Sequence, residues 1–319
     1  MKTTSDLQID LVYLWVDNKD ELWLDKFKKY SEKTDSLDAD ATNVCRFYDN
    51  EELKFSLRSV EKNMPWINKI YIITDNQKPD WLQTGDKVEI VNHTDIIPND
   101  KLPLFNSCAI ETRIPFIKNL SEYFLYANDD TFVWDYVDKN FFFDDSGKAI
   151  CRLDKKIKKN KKCNHLYGYT LKRAYEIVSQ KYSVPIGAYS PHHNIDAYRK
   201  SLFLDCINDF ADEFEETLNH KFRESTDMQR MAITYYMLAK DAGIAKYVRR
   251  NWFDEYIRRV PLDSKCYRLH ASKFNKIANA KSKLMCINDC RSASDTDRKN
   301  MIKLLSKKFP QKSMFEKDI

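Results

Sequence analysis

Three oxygen-bearing side chains in a row, Asn128-Asp129-Asp130, follow the apolar, aromatic stretch Tyr123–Ala127 without a gap. Such a stretch reads as a strand buried on both faces, and open α/β sheets bind ligands at the carboxyl ends of their strands. Two adjacent carboxylates repel each other unless a cation lies between them, and hard oxygen ligands suit Mg²⁺ or Mn²⁺. The natural partner of such an ion is a diphosphate. On this triplet alone an acidic turn capping the next element stays open. Two more apolar runs end the same way. Ile9–Val16 stops at Asp17, and Lys283–Ile287 stops at Asn288-Asp289, which could complete the coordination sphere of one ion. His192 and His193 are adjacent and stand ahead of an expected helix, where imidazoles bind metal, bind phosphate or relay protons. Arg223 precedes another expected helix and could help form an anion site. Glu111, in a short helix, reads locally as solvated. Arg58, beside an apolar stripe, reads as a surface or salt-bridge residue.

The elements that must position these residues alternate. Expected strands are Ile9–Val16, Lys69–Thr74, Val88–Asn92 and Tyr123–Ala127. Between them fall the amphipathic runs Glu21–Tyr30, with Asp20 as cap, and Lys54–Asn63, with Asp49 or Asn50 near its start. A further helix starts at Asn106 or Ser107 and is disturbed at Pro115. This order predicts an α/β fold with a mostly parallel sheet. From Leu171 onward the pattern is mainly helical: Leu171–Lys181, Ile195–Ile207, Asp212–Leu218, Ser225–Ala242 and a closing helix, Asp295–Lys308. The chain therefore divides into an α/β portion, 1–154, and a mainly helical portion, 155–319, within one integrated domain.

Composition narrows the class. The chain has 319 residues, 43% of them hydrophobic and 13% aromatic, enough for a real core. With 32% charged residues, no run reaches the ~18 apolar residues a spanning helix needs. The start, MKTTSDLQID, lacks an apolar signal segment, so a cytoplasmic location is expected. A formal charge of +5 is a mild excess that suits anionic ligands or an anionic membrane surface. The run Lys155–Lys162 reads as a solvated loop, or as a patch for a polyanion or a membrane surface. Eight cysteines without a Cys-x-x-Cys pair argue against structural zinc and for free thiols packed as small hydrophobes.

Four separated blocks then stand out together: IDLVYLWVDNKD, Ile9–Asp20; Arg46–Leu82 with LPLFNSCAIE, Leu102–Glu111, and YANDD, Tyr126–Asp130; SPHHNIDAYRKS, Ser190–Ser201, with FRESTDMQ, Phe222–Gln229; and KLMCIND, Lys283–Asp289. With them the chain resembles the Stealth family of sugar-1-phosphate transferases. That family includes bacterial capsule and exopolysaccharide phosphotransferases and the catalytic part of the animal N-acetylglucosamine-1-phosphotransferase. The resemblance implies a GT-A-like, Rossmann-type sheet, with portion 1–154 binding a nucleotide sugar. It implies transfer of hexose-1-phosphate, usually N-acetylhexosamine-1-phosphate, from a UDP-sugar to a saccharide hydroxyl in capsule or exopolysaccharide synthesis. UMP leaves and a phosphodiester forms. By the same resemblance Glu111, Asp130, His193 and Arg223 are the catalytic set, with His192 as the neighbour of the catalytic histidine. Lys172 falls where the family often has Arg, which keeps charge and loses bidentate phosphate geometry. Asp17, Arg46, Asn50 and Arg58 are assigned to the substrate side. Asp130, Asp129, Asn288 and Asp289 are assigned to Mg²⁺ or Mn²⁺. Expected partners are the UDP-sugar donor and a saccharide or growing polysaccharide acceptor, with peripheral association at the inner face of the membrane and no nucleic acid. An ordinary glycosyltransferase releasing UDP and a non-catalytic nucleotide-sugar-binding protein remain the competing readings.

Overall fold

A computed structural model of the chain describes residues 4–33, 38–157, 163, 165–248, 257–262 and 277–318. Eleven strands are assigned among them: β1 Ile9–Leu14, β2 Ile70–Thr74, β3 Val88–Asn92, β4 Tyr123–Asn128, β5 Thr131–Val133, β6 Ala149–Lys156, β7 Tyr189–Pro191, β8 Asp196–Arg199, β9 Gly243–Tyr247, β10 Ile257–Pro261 and β11 Leu284–Asn288. The helices are α1 Glu21–Ser31, α2 Glu52–Asn63, α3 His93–Ile96, α4 Ser107–Glu111, α5 Leu166–Lys181, α6 Lys200–Asp209, α7 Ala211–Asn219, α8 Met231–Ala239 and α9 Asp295–Lys308.

The largest sheet runs β3-β2-β1-β4-β8. Its first four strands are parallel and β8 is an antiparallel edge. Every residue of β2 is buried, as are all but the last of β1. Near-continuous β-branched and aromatic runs are what a parallel sheet covered on both faces demands. Strand order reverses between β1 and β4, which lie side by side with Leu14 opposite Asn128. The crevice at their carboxyl ends is therefore the topological switch point of the sheet, the place where such folds bind ligands. Two three-stranded sheets, β10-β11-β5 and β7-β6-β9, flank it. Each of the three sheets draws strands, or parts of one strand, from both sides of the 154/155 boundary.

The differences from expectation are local. Ile195–Ile207 was expected to be one helix. Its first part is instead β8, paired to β4 through Ala197↔Leu125 and Tyr198↔Phe124, and α6 begins only at Lys200. The helix expected over Ser225–Ala242 starts at Met231 and ends at Ala239, and the chain then enters β9. In the run Lys155–Lys162, Lys155 and Lys156 end β6 and are exposed, whereas 158–162 lie outside the described residues. Of the cysteines, Cys108, Cys151, Cys206 and Cys286 are buried free thiols. Among the described residues no helix is long and apolar enough to cross a membrane.

Candidate active site

The floor of the site is the turn that joins β4 to β5. Polar residues on one face of α2 fix it. Ser56 Oγ donates to Thr131 O at 2.6 Å, Ser59 Oγ accepts from Val133 N at 2.9 Å, and Asn63 Nδ2 donates to Val133 O at 2.6 Å. Spacings of three, four and seven residues put these side chains on one helix face, and there they satisfy an otherwise unpaired strand edge. On the other edge β11 runs antiparallel to β5, with Cys286 opposite Thr131 and Ile287 N bonded to Asp130 O at 2.9 Å. Asp130 Oδ2 accepts from Asn288 Nδ2 at 2.9 Å and from the Cys286 thiol at 3.6 Å. Asp129 Oδ1 accepts from Asp130 N at 3.0 Å. Burial, reinforced by Glu52, Asp130 and Asp49, pushes the Asp129 carboxyl well above the usual range; burial also raises Asp130. Burial takes Glu52, the first residue of α2, up to about 8.

One wall is a chain of buried polar groups. Tyr126 on β4 points its hydroxyl at Glu111 Oε1, 3.3 Å away, and at Asn128 Oδ1, 2.8 Å away. Asn128 Nδ2 lies 3.2 Å from His193 Nε2. Arg230, only 3% exposed, closes the chain: it pairs with Asp196 at 3.0 Å, faces Glu111 at 3.8 Å and lies 4.5 Å above the Tyr126 ring. Glu111 is itself buried, contrary to the local reading of a solvated side chain, because α4 is turned inward beneath β4. Burial, then the positive charges of Arg230 and Arg259, lowers His193 to about 3, so its imidazole is neutral near pH 7.

Beside it lies a cationic group of residues. Arg223 bonds Ser107 Oγ, and the carboxylates of Glu111 and Asp227 act on its charge. Arg46 is close enough to Arg223 for the two charges to repel; burial and that repulsion lower Arg46 to about 10. An aromatic cluster brings the two together. Phe47, next to Arg46, and Phe222, next to Arg223, pack with Trp23, Phe27 and Phe105; Phe105 stacks on Phe222 at 5.2 Å. A polar hub lies beneath. Buried Asp227 accepts from Asn106 Nδ2 at 2.8 Å and Glu224 N at 2.8 Å, and its other oxygen meets His220 Nδ1 at 2.7 Å. Asn106 also caps α4 by accepting from Cys108 N at 3.0 Å. One side chain thus ties the helix of Glu111 to the loop of Arg223.

Asp130, His193, Arg223 and Glu111 are therefore neighbours, and Asn288 and Asp129 join them. Four assignments fare differently. Arg58 is engaged elsewhere: it grips Glu316 through two bonds, 2.7 and 2.6 Å, and donates to Phe309 O at 3.0 Å, pinning the C-terminal segment. Asp289 is held by Arg298 at 2.8 and 3.2 Å and by Asn50 Nδ2 at 3.4 Å, so a cation already neutralises it. Asn50 is spent on Glu52, through its N–H at 2.6 Å and Nδ2 at 2.8 Å. Lys172 pairs along its own helix with Glu176 at 3.6 Å. Asp17 forms a turn at the end of the first block, accepting from Lys19 N at 2.9 Å, with Asp49 as a charged neighbour. His192 bonds Arg152 O through its backbone and stands beside His193, whose ring is the one that meets Asn128.

The sequence reading missed Arg230, Asp196, Tyr126, Glu52, Cys286 and Arg259 as site residues. Arg230 comes one position after the FRESTDMQ block, and Tyr126 and Cys286 lie inside the YANDD and KLMCIND blocks. Arg259 donates to Asn288 Oδ1 at 2.8 Å from β10; nothing in its local sequence announces that.

The residues present fit a divalent ion. Desolvation raises both the Asp129 and the Asp130 carboxyl, and the charges of Glu52 and Asp130 raise Asp129 further, a repulsion that a cation relieves. Asp130, His193 and Cys286 each place one donor atom within 4.8 Å of the others. Carboxylate oxygen with neutral imidazole suits Mn²⁺ better than Mg²⁺.

Residues 46–151 match conserved region 2 of the Stealth proteins, and residues 192–240 match conserved region 3. The exopolysaccharide phosphotransferase cps2G of Lactiplantibacillus plantarum is 31% identical over 99% of this chain and 98% of its own length. The capsular polysaccharide phosphotransferase WcwK of Streptococcus pneumoniae is 32% identical over 97% and 98%, and LcbA of Aeromonas hydrophila, another capsular polysaccharide phosphotransferase, 30% over 96% and 85%. Among solved structures, galactosyltransferase LgtC in complex with donor and acceptor sugar analogs aligns with a TM-score of 0.46 and 9% identity, over 93% of this chain and 95% of that chain.

Proposed function

Since the chain belongs to the Stealth family of polysaccharide phosphotransferases, we propose that it transfers hexose-1-phosphate from a UDP-sugar to a saccharide hydroxyl in capsule or exopolysaccharide synthesis. N-acetylhexosamine-1-phosphate is the preferred group, UMP the leaving group and a phosphodiester the product. The observation that carries this reading is the meeting of Arg223 with Arg46, with Arg223 close enough to His193 to depress its imidazole and His193 within 4.8 Å of Asp130. Two guanidiniums that repel each other across a site are reconciled by a bidentate anion, and a diphosphate supplies the oxygens.

In the proposed reaction the acceptor oxygen attacks the β-phosphorus in line with the departing UMP. Such a transfer depends mainly on positioning and charge stabilisation. Arg223 and Arg46 hold the phosphoryl oxygens. His193, neutral near pH 7, takes the acceptor proton at a ring nitrogen. The hydrogen bond to Asn128 fixes the ring, and Tyr126 fixes Asn128. Glu111 is the competing base; its contacts with Arg230 and Tyr126 favour a supporting role. Asp130, with Asp129, would hold Mn²⁺ or Mg²⁺, leaving the single lone pair of His193 for the acceptor proton, and Asn288 orients Asp130. Such an ion neutralises diphosphate charge. The proposal includes a GT-A-like relationship for the sheet and a peripheral location at the cytoplasmic face of the membrane.

The test is incubation with a panel of UDP-hexoses and UDP-N-acetylhexosamines, acceptor oligosaccharides and Mn²⁺ or Mg²⁺. Release of UMP with one donor supports the reading. Release of UDP makes the protein a glycosyltransferase, and donor binding without turnover makes it a binding protein.

A further inference from the structure

Asp130, His193 and Cys286 come from three separate elements: the β4–β5 turn, the segment ahead of β8, and β11. One oxygen, one nitrogen and one sulfur atom lie within 4.8 Å of one another. The pairing of β11 with β5 sets Cys286 opposite Thr131, next to Asp130, and directs its thiol at Asp130 Oδ2, 3.6 Å away. Cys286 is fully buried, whereas Asp130 and His193 are partly exposed. An ion would thus enter past the carboxylate and imidazole and meet sulfur at the bottom. Sulfur and imidazole do not improve a site for a hard cation. They favour Zn²⁺, which takes Cys, His and carboxylate ligands and commonly keeps one open position beside three protein ligands.

We propose that this centre also captures Zn²⁺, on Asp130, His193 and Cys286, and that capture stops transfer. The inhibitory half rests on the proposed phosphotransferase activity; the capture itself does not. On binding, the Cys286 S–H bond breaks, its proton passes to solvent and a Zn–S bond forms, with no change of oxidation state. The captured ion would occupy the carboxylate and the imidazole together, removing both from the diphosphate and the acceptor.

The test uses the full chain, stripped with a chelator and titrated with Cd²⁺, whose bond to thiolate gives an ultraviolet charge-transfer band. The expected result is a band that Zn²⁺ competes away. One Cd–S bond's worth of intensity should be lost in Cys286→Ser and kept in Cys290→Ser. Loss of a direct ligand should weaken Zn²⁺ binding by more than the roughly 10–100-fold that even an outer partner costs. His193→Gln, at a partly exposed position, should weaken it comparably and guards against a folding defect in Cys286→Ser. A wild type without the band, or a band unchanged in both variants, overturns capture. With Mn²⁺ present, stoichiometric Zn²⁺ should stop UMP release by wild type and Cys290→Ser alike; undiminished release overturns the inhibitory half. A band together with no UMP release under any condition supports capture and counts against the phosphotransferase reading instead.

Discussion

Arg230 shows how much of the site depends on a single side chain. Its guanidinium is buried with two carboxylates, Glu111 and Asp196, around it. Replacing it with Met leaves both anions buried without their cation, which costs ~3–5 kcal/mol. Arg230→Met should therefore lower the melting temperature as well as the rate, and a denaturant titration reads the loss. Asp130→Ala is expected to behave in the opposite way. Asp130 lies in a turn whose backbone is held by α2 and β11, so the variant should fold with an unchanged melting curve and release UMP only at background; normal turnover would remove Asp130 from the site. The types that matter here were only partly legible in the sequence. Asp130, Glu111, His193 and Arg223 could be named because they sit in ordered blocks. The partner of Arg58 could not: Glu316 lies 258 positions away, and no local pattern announces such a pair.

Elements were read best where one physical signal dominates. β3 and the closing helix α9 fall on the expected bounds, the first as a short β-branched run, the second as an amphipathic run whose start the structure fixes with a Ser294–Asp297 capping box. The misread stretches are those where tertiary contacts decide. Asp196–Arg199 is strand because the free edge of β4 needs a partner. Residues 225–230 are not helical because the chain there wraps buried Asp227, whose hydrogen bonds outweigh helix propensity. The aromatic cluster that joins α1 to the Arg46 and Arg223 segments yields a prediction at this scale. Phe105→Ala removes a buried ring that touches Trp23, Phe27 and Phe222. It should cost ~3–5 kcal/mol and raise KM for the donor, since Arg46 and Arg223 lose their common support; steady-state kinetics against donor concentration would show it. An unchanged KM would mean that the two arginines are held by other means.

For the whole molecule, stability should carry a pH signature from the hub beneath Arg223. The hydrogen bond to Asp227 holds His220 protonated above its ordinary range. A raised folded-state value contributes stability that is complete below the unfolded value of ~6.5 and fades as pH climbs through the folded value. The advantage of wild type over His220→Asn in urea unfolding should thus be largest in mild acid and shrink toward alkaline pH. An advantage that grows with pH would remove this ion pair from the account. The β10-β11-β5 sheet supplies β5 and β11 to the floor beside the crevice between β1 and β4, and the central claim concerns what happens to a donor lying there. The most direct measurement tracks the β-phosphorus of a UDP-sugar labelled at that atom. Attack at phosphorus predicts that the label enters the saccharide product as a phosphodiester while unlabelled UMP is released. Label recovered in UDP, with an unlabelled glycoside as product, would contradict it.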